Sequence, residues 1–320
     1  IARAAADVVV ESFKPGQMKK FGLDYEAVKQ VNPQIVYCSI SACGQTGANA
    51  WRPGFDVIAQ GMSGFMDMQG DPNGEPVKCG VTVGDYVGAY NAYGAIMTAL
   101  YYKKLTGEGQ FIDLSLLDGL VSIMTPMEGA ATLDLKPTRA GRHHNTMAPY
   151  GVYRNDRGDS VIIAAFSAGQ WSKFCNAMEK PELMTDERFL SMGSRAENIK
   201  DLEAIIQGWL NSFETIEEPI AIMDKAGVAC CKIRSVNEVA HDPAMWERGC
   251  LTELELPPSY TEHRTYKCRG PWIQYSKTPM EMKRAADLGE NNYEILEQYG
   301  WSKEKIDEKE SEWSSMFKKQ

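Results

Sequence analysis

A carboxylate that ends a β-strand and opens a helix can sit at the mouth of a pocket, within reach of helix N-terminal N–H groups, and attack there as a nucleophile. Asp118 has that position in the segment Gly107-Glu-Gly-Gln-Phe-Ile-Asp-Leu-Ser-Leu-Leu-Asp-Gly-Leu120. Apolar and polar residues alternate from Phe111 to Leu116, the two-residue period of a strand, and Asp118 falls where the alternation gives way to the apolar run 120–124. The same spacing carries a second meaning. Ser115 with Asp118 three residues later is also the pattern of a capping box, in which the carboxylate only caps a helix. Periodicity leaves both open.

Other chemistries fit the residues less well. Gly61-Met-Ser-Gly-Phe65 has Phe where a serine-hydrolase elbow needs its last glycine, and no strand directly precedes it. Gly107 and Gly109 begin a Gly-x-Gly, but Ile112 takes the third glycine position and the order helix, turn, strand is reversed for a dinucleotide fingerprint. Cys38 and Cys43 are too widely spaced for a zinc knuckle, and the neighbours His143 and His144 point apart on a strand, so no metal is expected. The eight cysteines form no framework, which suits a reduced cytoplasmic setting. A net charge of −9 argues against nucleic-acid binding. The longest uncharged stretch, 86–102, is rich in Gly, Ala, Asn and Tyr and reads as a buried helix packed through small residues, not a membrane span.

The elements that must position Asp118 follow in order. A valine run at 7–11 reads as a buried parallel strand, with a Pro-interrupted loop at 12–16. A helix at 23–31 and a strand at 35–40 complete a βαβ unit, and 41–53 is a loop. Helices are expected at 55–66 and 84–104, the latter closed by Lys103 and Lys104, then the strand 110–116 and a helix running from Asp118 through Ala131. After an irregular stretch at 138–151 the pattern shifts to a small α/β domain, with a strand at 160–166 and helices at 170–178, 199–213 and 216–226. A return segment at 232–249 leads to antiparallel strands within 251–275 and to helices at 291–299 and 303–318.

The wording of several stretches adds a resemblance. Thr106-Gly-Glu-Gly-Gln-Phe-Ile-Asp-Leu-Ser-Leu-Leu-Asp-Gly119 resembles the segment that carries the catalytic aspartate of the family III CoA-transferases, the CaiB/BaiF family, and Asp118 is the residue that matches. Further phrases follow in the family's order: Asp7-Val-Val-Val-Glu-Ser-Phe-Lys-Pro-Gly16, Asn32-Pro33 with Tyr37-Cys-Ser-Ile-Ser41, Gly44-Gln-Thr-Gly47, Arg52-Pro-Gly-Phe-Asp-Val-Ile-Ala-Gln60, Ala148-Pro-Tyr-Gly151, Ala240-His-Asp-Pro243 and Leu288-Gly-Glu-Asn291. Family members open with a further segment, so the resemblance implies an N-terminally truncated chain.

The resemblance also implies an α/β fold: an open parallel Rossmann-like sheet in a large CoA-binding domain (1–150), a smaller inserted α/β domain (151–230), and a return segment (231–320) packing on the large domain. Two subunits would interlock as a homodimer. It implies CoA transfer from an acyl-CoA to a free carboxylic acid, with Asp118 as nucleophile, Ser12, Phe13, Lys14, Lys20 and Phe55 at the CoA site, and no tightly bound cofactor. Two alternatives are an α-methylacyl-CoA racemase and a non-catalytic CoA-binding protein. Racemases of this fold carry a histidine where this chain has Phe55 and a glutamate within the segment matching 166–169, here Phe-Ser-Ala-Gly, so the proton-moving groups are absent.

Overall fold

The computed structural model describes residues 6–317. The valine run forms β1 (Val8–Glu11), which pairs in parallel with β2 (Val36–Ser41), and β2 pairs in parallel with β3 (Gln110–Ser115). Two short helices, α1 (Gln17–Lys20) and α2 (Tyr25–Lys29), join β1 to β2, while α3 (Asp56–Met62) and α4 (Val83–Thr106) join β2 to β3. Because all three strands run the same way, the loops beginning at Ser12 and Ala42 and the turn at Leu116 leave one edge of the sheet, the edge where open α/β sheets bind ligands.

Helices cover both faces of this sheet. On one face Tyr37 packs with Ile35 and Val28, supported by Val9 and Tyr25; on the other Cys38 and Leu114 pack against Ala92, supported by Ile40, Ile96 and Ile112. Small residues let α4 approach closely. An added Cβ at Gly88 would lie 2.5 Å from Leu116 Cδ2, so a larger residue there would push away the turn that precedes Asp118.

The helix expected from Asp118 through Ala131 is two helices, α5 (Leu116–Ser122) and α6 (Pro126–Leu133). Pro126 lacks the N–H needed to continue the first helix but suits the first turn of a new one. The irregular stretch expected at 138–151 ends in a strand that the sequence pattern does not announce. β4 (Tyr150–Arg154) pairs antiparallel with β5 (Ser160–Ala164), which pairs with β6 (Cys230–Lys232). Gly151 disguised β4, but the glycine is required there, since an added Cβ would lie 2.4 Å from the Arg142 carbonyl oxygen.

Around this second sheet stand α7 (Ala168–Ala177), α8 (Met192–Glu197), α9 (Ile199–Asn211) and α10 (Glu217–Lys225). Their apolar residues, with those of the sheet, build a core of eighteen buried residues between Ala148 and Val228, Phe174, Phe189, Ile206 and Leu210 among them. Arg195 is buried within it, and its guanidinium donates to the carbonyls of Ala148 (2.7 Å), Phe189 (3.1 Å) and Phe166 (2.6 Å).

The chain divides into two compact units between Lys232 and Ile233, so both sheets belong to the first. The second unit contains α11 (Val236–Ala240), α12 (Pro243–Glu247), the hairpin β7 (Leu251–Glu255) and β8 (Thr265–Arg269), α13 (Asn292–Gln298) and α14 (Lys303–Phe317). Lys318, expected at the end of the last helix, lies outside the described residues.

Candidate active site

Asp118 is the third residue of α5, directly beyond the end of β3. Ser115 is the N-cap, and its Oγ accepts the Asp118 main-chain N–H at 3.1 Å. That is half of a capping box. The other half would have the Asp118 carboxylate accept the N–H of Ser115, and this bond is not made, whereas both halves are present at the starts of α8 and α11. The cap therefore uses the backbone of Asp118 and leaves its carboxylate exposed, with no donor among the described residues.

A second aspartate is fully committed. Asp56 is buried; its Oδ1 accepts the Gly84 N–H at 2.7 Å and its Oδ2 accepts Gln60 Nε2 at 2.6 Å, while Gln60 Oε1 accepts the Cys79 N–H at 2.9 Å. Thr82, the N-cap of α4, makes no side-chain cap, so Asp56 caps that helix from a neighbouring one. Burial, and then the charge of Asp56, raises the Asp85 carboxyl above its ordinary range. Sequence reasoning quoted Asp56 within its phrase but did not find this role. Phe55, just before it, is 80% exposed.

The loop after β1 holds Ser12, Phe13 and Lys14, all exposed. It is anchored by Glu11, whose Oε2 accepts the Phe13 N–H at 2.8 Å. Lys14 lines a cleft of roughly 280 Å³ over one face of the parallel sheet, together with Lys19, Glu11, Tyr37, Ser39 and Gln45. Lys20 is exposed on α1 and does not line this cleft; the four-residue helix turns Lys19 to it instead. Nothing in the pair Lys19-Lys20 distinguishes the two before the helix is placed. Asp118 is not among the lining residues either, so Lys14 and Asp118 share the carboxyl edge of the sheet but not this cleft.

Other candidate reactive groups of the first unit are already committed. Burial, followed by the charges of Glu11 and Asp24, pushes the Tyr37 phenol up to about 12, and its hydroxyl donates to the Leu23 carbonyl at 2.7 Å. Burial and then Glu11 raise the Cys38 thiol, which holds it in its protonated, non-nucleophilic form. His143 and His144 meet different rings: the first lies tilted against Tyr153 at 4.9 Å between ring centroids, the second edge-on to Tyr150 at 5.5 Å. Among the described residues no three His, Cys, Asp or Glu side chains gather as metal ligands, and no helix is long and apolar enough to cross a membrane.

Comparison with known proteins decides the family. Residues 3–292 match the model of CoA-transferase family III. The chain belongs to that family. It is 34% identical over 302 residues to the succinyl-CoA:mesaconate CoA-transferase of Haloarcula hispanica, covering 92% of this chain and 74% of the relative. It is 34% identical over 297 residues to the succinate–glutarate CoA-transferase of Agrobacterium fabrum, covering 91% and 72%. Among solved structures, a CaiB/BaiF family protein from Brucella suis is 33% identical, with a TM-score of 0.77 over 92% of this chain and 76% of that one. This family III chain thus spans about three quarters of these relatives, and its mixed α/β architecture with a parallel sheet matches the fold of the Brucella protein. It is a CoA-transferase, the class of enzyme that takes CoA thioesters as substrates.

Proposed function

We propose that this family III enzyme moves CoA from an acyl-CoA to a free carboxylic acid through the carboxylate of Asp118. The observation that carries the reading is the half-made cap: Ser115 fixes the backbone of Asp118 and leaves the side chain exposed and unpartnered at the carboxyl edge of the sheet. The carboxylate attacks the thioester carbonyl and expels CoA thiolate, giving an aspartyl mixed anhydride. The thiolate attacks the aspartyl carbonyl, releasing the first acid and leaving an aspartyl-CoA thioester. The acceptor carboxylate then attacks that thioester, and the returning thiolate takes the new acyl group, which frees Asp118. Each attacking group is an anion, so no separate base is needed.

Ser12, Phe13, Lys14, Lys20 and Phe55 form the CoA-binding part of this reading, supported by the family resemblance of their segments. Lys19 joins them because it shares the cleft with Lys14. The relatives' names supply the substrates to offer first: succinyl-CoA as donor, with glutarate or mesaconate as acceptor. An interlocked homodimer in the cytoplasm belongs to the same reading and rests on the resemblance and on cysteine usage.

Incubating the enzyme with succinyl-CoA and hydroxylamine, followed by peptide mass spectrometry, is expected to place a hydroxamate on Asp118 and on no other carboxylate. Asp118→Ala and Asp118→Asn are expected to lose transfer while retaining the fold. Transfer by Asp118→Ala above about a tenth of the wild-type rate would remove the nucleophile assignment, because a neutral side chain cannot form the anhydride.

A further inference from the structure

We propose that Asp113 is a positioning residue for the transfer chemistry, tying the loop after β2 across the end of the strand that leads to Asp118. The inference rests on the reading of Asp118 as the nucleophile. Asp113 lies in β3 opposite Ser39, two residues before Ser115 and on the same sheet face. Its Oδ1 accepts the Gln45 N–H at 2.8 Å, and its Oδ2 lies 3.5 Å from Thr46 Oγ1. The base of the same loop is fastened twice more, since the Ala42 carbonyl accepts the Leu117 N–H at 3.0 Å and Ser115 Oγ at 3.4 Å. Between these points Gly44 turns the chain at φ +83°, and an added Cβ there would be 3.6 Å from Asp113 Oδ1 and 3.7 Å from Ser115 Cβ.

Residues 42–46 are therefore stitched to Asp113, Ser115 and Leu117, the alternate residues that run up to Asp118. Two of the stitches are main-chain groups or a hydroxyl and come with the fold. Asp113 supplies the third, a charge-assisted bond of the kind that is shorter and stronger than a neutral one. Glu11 does the corresponding work on β1 through the Phe13 N–H, so the two loops nearest the site each hang from a strand-borne carboxylate. The tethered residue has an unspent donor of its own: Gln45 Nε2 is buried without a hydrogen-bond partner among the described residues. Asp113 thus fixes the loop at 42–46 to the strand end that leads to Asp118. A misplacement of about 1 Å that starts away from the chemistry can lower a rate by about a hundredfold.

The test measures transfer of CoA from succinyl-CoA to glutarate or mesaconate by the full chain, for wild type, Asp113→Ala and Asp113→Asn. Asp113→Ala is expected to lower kcat by about ten- to a hundredfold with KM for succinyl-CoA changed by less than about threefold. Asp113→Asn is expected to recover to within about fivefold of wild type, because its amide oxygen still accepts from Gln45 N–H while the charge is lost. Asp113→Ser, too short to reach Gln45, serves as a second untethered variant should the alanine variant not fold. Wild-type kcat in the untethered variants, or equal losses in Asp113→Asn and Asp113→Ala, would overturn the tether while leaving a hydroxamate on Asp118 intact. A wild-type enzyme that transfers CoA but, incubated separately with succinyl-CoA and hydroxylamine, takes no label on Asp118 would overturn the nucleophile reading and this inference together.

Discussion

At the scale of single residues, side-chain type says less than what each side chain is already bonded to. Asp56, Asp113 and Asp118 all stand in stretches that resemble the family, yet one is buried and capping, one holds a loop, and one has no donor among the described residues. The position of Asp118 was legible from alternation and wording. That its carboxylate escapes the cap was not, because Ser-x-x-Asp looks the same whether one or both hydrogen bonds form. His143 allows a test of a different kind. Burial lowers its pKa most, Glu203 opposes this, and Arg142 adds to the lowering, so the folded protein prefers the neutral ring. The unfolded chain then binds the proton more readily, and stability falls as pH drops below the ordinary value of about 6.5 and stops falling once the folded pKa is passed. Chemical denaturation between pH 7.5 and 5 is expected to show this loss in wild type and a smaller loss in His143→Gln. An equal slope in both proteins would remove His143 as its source.

At the scale of elements, the long helix α4 depends on a residue outside itself. Asp56 supplies the acceptor that Thr82 does not, and Gln60 extends the connection to the Cys79 N–H. Asp56→Ala is expected to cost about 2–4 kcal/mol, since it removes a cap and leaves the Gly84 N–H and the Gln60 amide buried without that partner. Asp56→Asn keeps an acceptor for Gly84 and is expected to cost about half as much. Urea unfolding would measure both, and a loss under about 0.5 kcal/mol for the alanine variant would contradict the capping role. Local pattern predicted β1, β2 and α4 well because buried parallel strands are continuous apolar runs and α4 is long. It failed where a long-range contact sets the residue type. Gly151 reads as a break in a strand until the Arg142 carbonyl is seen beside it, and Arg195 reads as a surface charge until three carbonyls close around it. The α5–α6 break, by contrast, was available in Pro126.

At the scale of the molecule, the apolar interior is unevenly shared within the first unit. The core between Ala148 and Val228 contains eighteen buried residues, while the described clusters on the two faces of the parallel sheet and under α5 contain three each. Local opening is governed by how much apolar surface an element must expose. Backbone amides around Phe174, Ile206 and Leu210 are therefore expected to exchange with deuterated solvent most slowly, and those of β1, β3 and α5 sooner, in a separate class. Uniform protection across both sheets would show that the cores open as one. If the two classes are found, the enzyme carries Asp118, the proposed nucleophile, on the part of the first unit that opens more readily. The turn at Asp118 then owes its place to the stitches from Ala42, Ser115 and Asp113 more than to a heavy core beneath it. Mutations that weaken the large core would leave chemistry in the surviving folded molecules unchanged and lower only how many survive, whereas loss of one hydrogen bond at the sheet edge would lower the turnover of every molecule.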